Sequence, residues 1–362
     1  MSLPISPDML VPTRSSSEES VQTVRVSVIV PVYNRSDQLR QLLTALAQQS
    51  LPREWFEVMI CDDGSSEDLS RVLSETTGLQ IVHLRQERRG PGEARNLGLA
   101  HARGEILAFT DSDCLPGRDW LRALNQAMEC PSVGLVGGRI GYREAQFLSG
   151  RCLNFLMSST LGAAGARDPR GLVHMEFYPR AGNLAVRRSL AQSVNGFSGA
   201  RHGEDLEFSH RIREQGVEVR FVPEAAVVHN ERRGFSQMAS EAFWKGWARV
   251  RLTRLFRMHE FLHALPAGFI LYGLVGPLLG MLRPSLSLWV ALPALSYVLM
   301  LAILAVQGAW ALRDIRAAVV VPVCALAIHF GYGAGYLAAW IRADSQASRF
   351  WRLDRRPRLD RG

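Results

Sequence analysis

Ile106-Leu107-Ala108-Phe109-Thr110-Asp111-Ser112-Asp113 is the stretch on which the fold turns. Its apolar half follows the turn pair Arg103-Gly104 and reads as a short buried strand. The strand ends in two carboxylates, and open α/β sheets place their ligands at such strand ends. Mg²⁺ is commonly held by one or two carboxylates together with substrate phosphates. An Asp-x-Asp at this place is therefore a candidate site for a cation that carries a phosphorylated ligand. A second reading fits the triplet equally well on its own: an Asp before Cys114-Leu115-Pro116-Gly117 can cap a following helix.

The flanking sequence extends the same pattern. Upstream, the β-branched run Val24–Val30 ends at Pro31 and predicts a buried strand, and Asp37–Gln48 places Leu39, Leu42, Leu43 and Leu46 at helical spacing. A second strand, Phe56–Cys61, runs into Asp62-Asp63-Gly64-Ser65-Ser66. A helix over Asp68–Thr76, a strand over Gln80–Leu84 and a helix over Gly92–Ala102 lead into the quoted strand. A helix over Asp119–Met128 and the apolar run Val133–Gly137 follow it. Strands alternating with helices imply an α/β fold, a mostly parallel sheet with helices on both faces and right-handed connections. Between Gly141 and Pro179 the periodicity fades, which predicts a loop-rich cover over the site.

The last third of the chain differs in kind. Leu265–Leu282, Leu286–Val306 and Ala317–Trp340 are apolar stretches, each about long enough for a helix to cross a ~30 Å hydrocarbon core. Three in series imply a polar domain followed by a membrane-embedded tail of two or three transmembrane or re-entrant helices over 264–341. The net charge of +8 does not point to nucleic acid, because much of the excess flanks these stretches. Lys245, Arg249, Arg251, Arg254 and Arg257 precede the first, and seven Arg residues from Arg342 to Arg361 follow the last. Such clusters suit anionic lipid head groups. Residues 235–263 interleave Trp244, Trp247, Leu252, Leu255 and Phe256 with basic residues, which predicts an amphipathic helix at the membrane surface. Residues 1–23, rich in Ser, Pro and Glu and without a signal-sequence pattern, read as disordered. The five cysteines have no metal-ligand or disulfide spacing and suit a reducing compartment.

Four polar segments fall just after predicted strands: Pro31-Val32-Tyr33-Asn34, Asp62-Asp63-Gly64, Asp111-Ser112-Asp113 and the Gly90–Asn96 turn. In a parallel sheet they share one rim, and its carboxylates would repel a phosphorylated ligand unless a cation intervened. The Gly90-Pro91-Gly92 turn is no dinucleotide fingerprint, since Arg95 stands at the third glycine position. At a helix start, Arg95 is placed to face a diphosphate.

Val26-Ser-Val-Ile-Val-Pro31-Val-Tyr-Asn34, Asp62-Asp63-Gly64-Ser65, Ala94-Arg95-Asn96-x-Gly98, Asp111-Ser-Asp113 and Gly203-Glu204-Asp205 occur in the order seen in family 2 glycosyltransferases of the GT-A fold, and the chain resembles that family from about Val24 to Gly234. The resemblance implies that Pro31, Tyr33, Asn34, Asp62 and Asp63 surround the nucleotide and that Asp111, with Ser112 beside it, approaches the ribose. It implies that Asp113 holds Mg²⁺ or Mn²⁺ on the diphosphate of a nucleotide sugar. Glu204-Asp205 opens a helical stretch, Leu206–Gln215, where acidic residues also suit the macrodipole. The resemblance gives Asp205 the further role of general base and Glu204 that of positioning it. His229, after the run Ala225–Val228, reads as an ordinary lone histidine or, by resemblance, as a metal or diphosphate ligand. Asn183 reads as a turn residue or, by resemblance, as a neighbour of the sugar and acceptor.

The Gln-x-x-Arg-Trp signature of processive synthases is missing after His229, and three apolar stretches are few for a polymer channel. The expected activity is therefore inverting transfer of one or a few sugars to a lipid-linked or polysaccharide-precursor acceptor. The expected location is the inner (plasma) membrane, with the catalytic domain cytoplasmic. A nucleotide-sugar-binding scaffold without turnover and a nucleotidyltransferase are the competing readings. Three crossings would strand the basic tail outside, against the positive-inside rule; a re-entrant first stretch, rich in Gly and Pro, would return it.

Overall fold

The computed structural model describes residues 24–142, 147–163, 176–200, 202–229, 235–256 and 261–350, with the backbone alone at 142, 160, 163 and 343–350. The expected disordered segment 1–23 and the end of the basic tail lie outside the described residues.

The polar domain begins with β1 (Val26–Val32), α1 (Ser36–Ala47), β2 (Phe56–Asp62), α2 (Ser70–Glu75), β3 (Ile81–Arg85), α3 (Pro91–His101) and β4 (Ile106–Phe109). It continues with β5 (Cys114–Pro116), α4 (Trp120–Ala127), β6 (Val133–Tyr142), α5 (Leu148–Ser158), α6 (Thr160–Ala163), β7 (Leu184–Arg187), α7 (Arg188–Ser193), α8 (Glu204–Arg213) and β8 (Glu218–His229). The strands form one sheet in the order β3-β2-β1-β4-β7-β6-β8-β5. The first four strands are parallel, β7 is antiparallel to β4 and β6, and β5 is antiparallel to β8. Strand order reverses at β1 and β4, the kind of switch point where such sheets bind ligands.

Both faces of the sheet are covered, so β1 and β2 are buried at every position. One core joins Val26, Val28 and Val30 to Leu39, Leu42, Leu43 and Leu46 of α1 and to Trp120 and Leu124 of α4. Full burial of each leucine is worth ~1.5–3 kcal/mol. The opposite core packs Ile29, Phe109, Phe197, Phe208 and Ile212 together. In it Phe197 stacks on Phe208 at 4.2 Å, and Phe109 meets Phe197 edge-on at 5.1 Å. This aromatic group seats α8 against β4 and so fixes where the residues at the head of α8 stand.

The region from Gly141 to Pro179 is not wholly a loop: β6 runs through Tyr142, and α5 and α6 follow. Helix α5 has no strong single-sided periodicity because it is covered from several sides. Its Cys152, Leu153 and Leu156 pack with the apolar tail.

That tail consists of α9 (Phe235–Phe256), α10 (Leu265–Leu282), α11 (Ser287–Leu312) and α12 (Ala317–Phe350). Among the described residues, three spans are long and apolar enough to cross a membrane: Leu265–Leu282, Pro284–Leu312 and Ala317–Arg342. Helix α9 falls in the stretch 235–263 expected as an amphipathic surface helix. It is described over Phe235–Phe256, and its Met238, Ala242, Gly246 and Val250 are buried. It lies along α12, where the bare backbones of Gly331 and Gly335 meet the carbonyls of Ala239 and Phe243, and Gly246 meets that of Tyr332. Small residues at the contact let the two backbones approach that closely.

Candidate active site

The Asp111–Asp113 triplet leaves β4 in a tight turn in which the Cys114 amide donates to the Asp111 carbonyl at 2.9 Å. Strand β5 starts at once, and the next helix, α4, has Asp119 at its N-cap position. The structure thus rejects the helix-cap reading of the triplet. Pairing of β5 with β8 sets Cys114 opposite His229. This antiparallel contact brings His229 Nε2 to 3.7 Å from Asp113 Oδ1. Ligand atoms of Asp111, Asp113, Cys114 and His229 all lie within 4.8 Å of one another.

Two carboxylates and an imidazole are a donor set that fits Mg²⁺ or Mn²⁺. The Cys114 thiol is held well above its ordinary pKa, first by burial and then by the charges of Asp111 and Asp113, so it stays protonated beside this set. Ser112 is buried between the two carboxylates. Arg35, on the turn after β1, forms an ion pair with Asp113. Its side chain is about two-fifths exposed. Sequence reasoning missed Arg35, although it directly follows Asn34.

Arg95 is the principal departure from expectation. It does not front α3 as an open anion site, because its guanidinium is buried. Nη2 donates to Asp111 Oδ1 at 2.6 Å and Nη1 to Glu204 Oε1 at 3.2 Å. The guanidinium also lies over the Phe197 ring. A group always charged in proteins thus ties the Asp-x-Asp turn to the head of α8.

Gly203 precedes α8 with φ +77°, a left-handed conformation that a side chain would strain. Glu204 and Asp205 follow in the first turn. Burial pushes the Glu204 carboxyl up to about 7; Asp205 adds to the rise and Arg95 opposes it. Asp205 is partly exposed and faces Arg180 Nη1 at 3.8 Å, another residue that sequence reasoning did not single out.

Several of the expected ligand contacts also brace the rim internally. Asp62 is fully buried, accepting from Ser65 N at 2.8 Å and from Arg85 Nη1 at 2.7 Å. Asp63 accepts from Gln86 Nε2 and from the amides of Arg89 and Gly90, which sets the turn into α3. Asn34 Oδ1 accepts from the Ser66 amide at 2.8 Å. Pro31 lies buried within β1, and Tyr33 stacks beneath the Arg88 guanidinium at 4.0 Å. Asn183 makes internal hydrogen bonds. Its buried amide accepts from Trp120 Nε1 and donates to the carbonyls of Arg139 and Ala225, pinning β7 to the β6–β8 pair. Asp111, Asp113, His229, Arg95 and Glu204 form the connected part of the predicted set, and Asp205 follows Glu204 in sequence.

The fold and this rim define a GT-A transferase domain. A solved mannosyltransferase, PcManGT from Pyrobaculum calidifontis, in complex with GDP-Man and Mn²⁺, shares the fold at TM-score 0.55 and 23% identity, over 84% of this chain and 87% of that one. Residues 27–192 match Glycosyl transferase family 2, which assigns that part of the polar domain to the family. Among its relatives, glycosyltransferase AglE of Haloferax volcanii is 27% identical over 64% of this chain and 75% of its own length. A pre-mycofactocin glycosyltransferase of Mycobacterium tuberculosis is 32% identical over 62% of this chain and 46% of its own length. This chain therefore spans about three quarters of the first relative and about half of the second.

Proposed function

We propose that the protein is an inverting glycosyltransferase that moves a sugar from a nucleotide-sugar donor to a lipid-linked or glycan-precursor acceptor at the cytoplasmic face of the inner (plasma) membrane. The observation that carries this reading is the chain of contacts from His229 and Asp113, through the adjacent Asp111, across Arg95 to Glu204 and Asp205. It joins a cation-type donor set to a carboxylate pair at one sheet rim. The relatives named above support the donor class, and the apolar helices support the setting.

In this reading Asp113, Asp111 and His229 would hold Mg²⁺ or Mn²⁺, which would supply positive charge against the leaving diphosphate. Asp205 takes the proton from the acceptor hydroxyl, for which it must come within hydrogen-bond reach. The freed oxygen attacks the anomeric carbon from the face opposite the diphosphate. The bond from that carbon to the diphosphate oxygen breaks, its electron pair leaves with the nucleoside diphosphate, and configuration inverts. Glu204, held by Arg95, keeps the head of α8 facing the Asp-x-Asp turn.

The test is release of nucleoside diphosphate by the purified chain from a panel of nucleotide sugars, with Mg²⁺ or Mn²⁺ and with chelator. Release that needs the cation and vanishes in Asp113→Ala supports the proposal. Unchanged release in that variant, or full transfer by Asp205→Asn, would refute the assigned roles.

A further inference from the structure

The three apolar spans are not equivalent. In α10 and in the Pro284–Leu312 span, 11% and 6% of the most apolar window is buried inside the protein, against 28% in α12. The difference reflects where α12 runs. Its first turns, Ala317, Val321, Cys324 and Ala325, pack against Cys152, Leu153 and Leu156 of α5 and Met238 of α9. Its later turns follow α9 in the same direction, Gly331 beside Ala239, Gly335 beside Phe243 and Trp340 under the Arg254 guanidinium at 4.4 Å.

Helix α9 in turn lies on the catalytic domain. Arg251 reaches Glu207 of α8 at 3.2 Å, Ala248 packs against Gly203, Phe256 meets His210 at 5.1 Å, and Trp244 stacks on His202 at 4.8 Å. It also carries Glu241, Lys245, Arg249, Arg251 and Arg254, charges that are costly inside hydrocarbon. A helix that leaves a surface domain to cross a bilayer touches that domain at one end. Helix α12 is held at the start by α5 and further on by α9.

The α10–α11 pair also returns to this layer at both ends, and α11 follows α12 from Gly308 back to its middle, where the Tyr297 hydroxyl lies 2.9 Å from His329 Nδ1. Pro266 and Ile270 of α10 abut Gly333 of α12, Gly308 of α11 abuts Val321, and the Leu312 carbonyl accepts from Arg151 of α5 at 2.7 Å. The turn between them, around Arg283, is the far end of the hairpin, flanked by the exposed Met281, Leu282, Leu288 and Trp289.

We infer that α12 does not cross the membrane: it lies in the plane of the bilayer surface as a strap beneath α9, and the inserted element is the far part of the α10–α11 hairpin, between Ile270 and Tyr297. The lipid leaflet is the partner of the outer face of α12, where Val319, Val323, Phe330 and Ile341 are exposed. Trp310 and Trp340 then sit at the level of the head groups, where tryptophan is enriched. This arrangement also keeps the seven Arg residues from Arg342 to Arg361 on the catalytic side, as the positive-inside rule requires.

Depth measurements on the full chain in vesicles of phosphatidylethanolamine and phosphatidylglycerol test this. Cysteines introduced singly at Val319, Val323, Phe330 and Ile341, in a Cys130→Ser background, carry a nitroxide whose collisions with oxygen and with a water-soluble nickel complex report depth. The four native cysteines left in place are buried, and retained nucleoside diphosphate release verifies each labelled protein. The four sites are expected at one depth within about a helix diameter, ~10 Å. Val319 and Ile341 are ~33 Å apart along the helix. A profile with Phe330 deep and the two end sites shallow at opposite surfaces would overturn the inference. A reporter fused after Gly362 gives an independent check: a tail on the side opposite the catalytic domain would overturn it as well.

Discussion

The two ends of the same sheet treat buried carboxylates in opposite ways. At the N-terminal ends of β1 and β2, Glu57 is fully surrounded by donors: Ser27 Oγ at 2.6 Å, the Arg103 amide at 2.8 Å and Arg103 Nε at 2.7 Å. Burial alone would raise its pKa, but these hydrogen bonds and the Arg103 charge outweigh it and hold the carboxyl below its ordinary value. At the opposite rim, Glu204 is buried beside a second carboxylate and shares one guanidinium with Asp111, and its pKa is pushed up to about 7. One end has donors in excess and behaves as a structural lock. The other has acids in excess, as the cation and substrate of the proposed function would require. Perturbed carboxylates cluster at functional sites for this reason.

The largest effect that would break this contrast is expected at Asp205. Asp205→Asn should lower the transfer rate by about 10²–10⁴-fold, the usual contribution of a general base, with little change in the unfolding midpoint. Next comes Arg95→Ala, which leaves Asp111 and Glu204 facing each other without their shared cation. Denaturant unfolding should show a loss of ~3–5 kcal/mol, the usual cost of breaking a buried charge pair, together with weakened activity. Glu57→Gln should cost ~1–3 kcal/mol through donors left unsatisfied, with turnover per folded molecule unchanged. Equal activity loss in Glu57→Gln and Asp205→Asn would erase the distinction between the two rims.

The smallest effect is in the pH dependence of stability, where the two acids carry opposite signs. Glu57, with a lowered folded pKa, contributes stability above its unfolded value of about 4.5 and loses it as pH falls through the folded value. Glu204, with a folded pKa raised to about 7, resists ionisation in the folded state. It therefore costs increasing stability as pH rises from about 4.5 to 7. Thermal melts across this range should show the acid limb flattened in Glu57→Gln and the neutral-side decline flattened in Glu204→Gln. Matching slopes in the two variants would overturn the assignment.

Much of the polar domain was legible because its signals are local. Leu39, Leu42, Leu43 and Leu46 announce α1 by spacing, and the β-branched run before Pro31 announces β1. The observed α1 to α4 begin and end within about two residues of the predicted ranges. Strands β5 and β7 were not legible: three or four residues each are too short to show alternation, and pairing with distant strands defines them. Helix α5 was hidden for a related reason, since its faces are covered by elements more than 80 residues away in the chain.

The site divides along the same line. The sequence by itself determined the family-like order of acidic turns, the candidate cation residues Asp111 and Asp113, and the presence of an apolar tail. Residue type and spacing carry those properties. Only the tertiary structure decided that His229 meets Asp113, because a pairing between β5 and β8 spans more than a hundred residues. It alone turned Arg95 from an expected diphosphate contact into a bridge and Asn183 into a brace, since those roles depend on which donors and acceptors burial leaves within reach. It also separated α12 from the other two apolar helices. Hydropathy records how apolar a helix is, and contacts at both of its ends record what covers it.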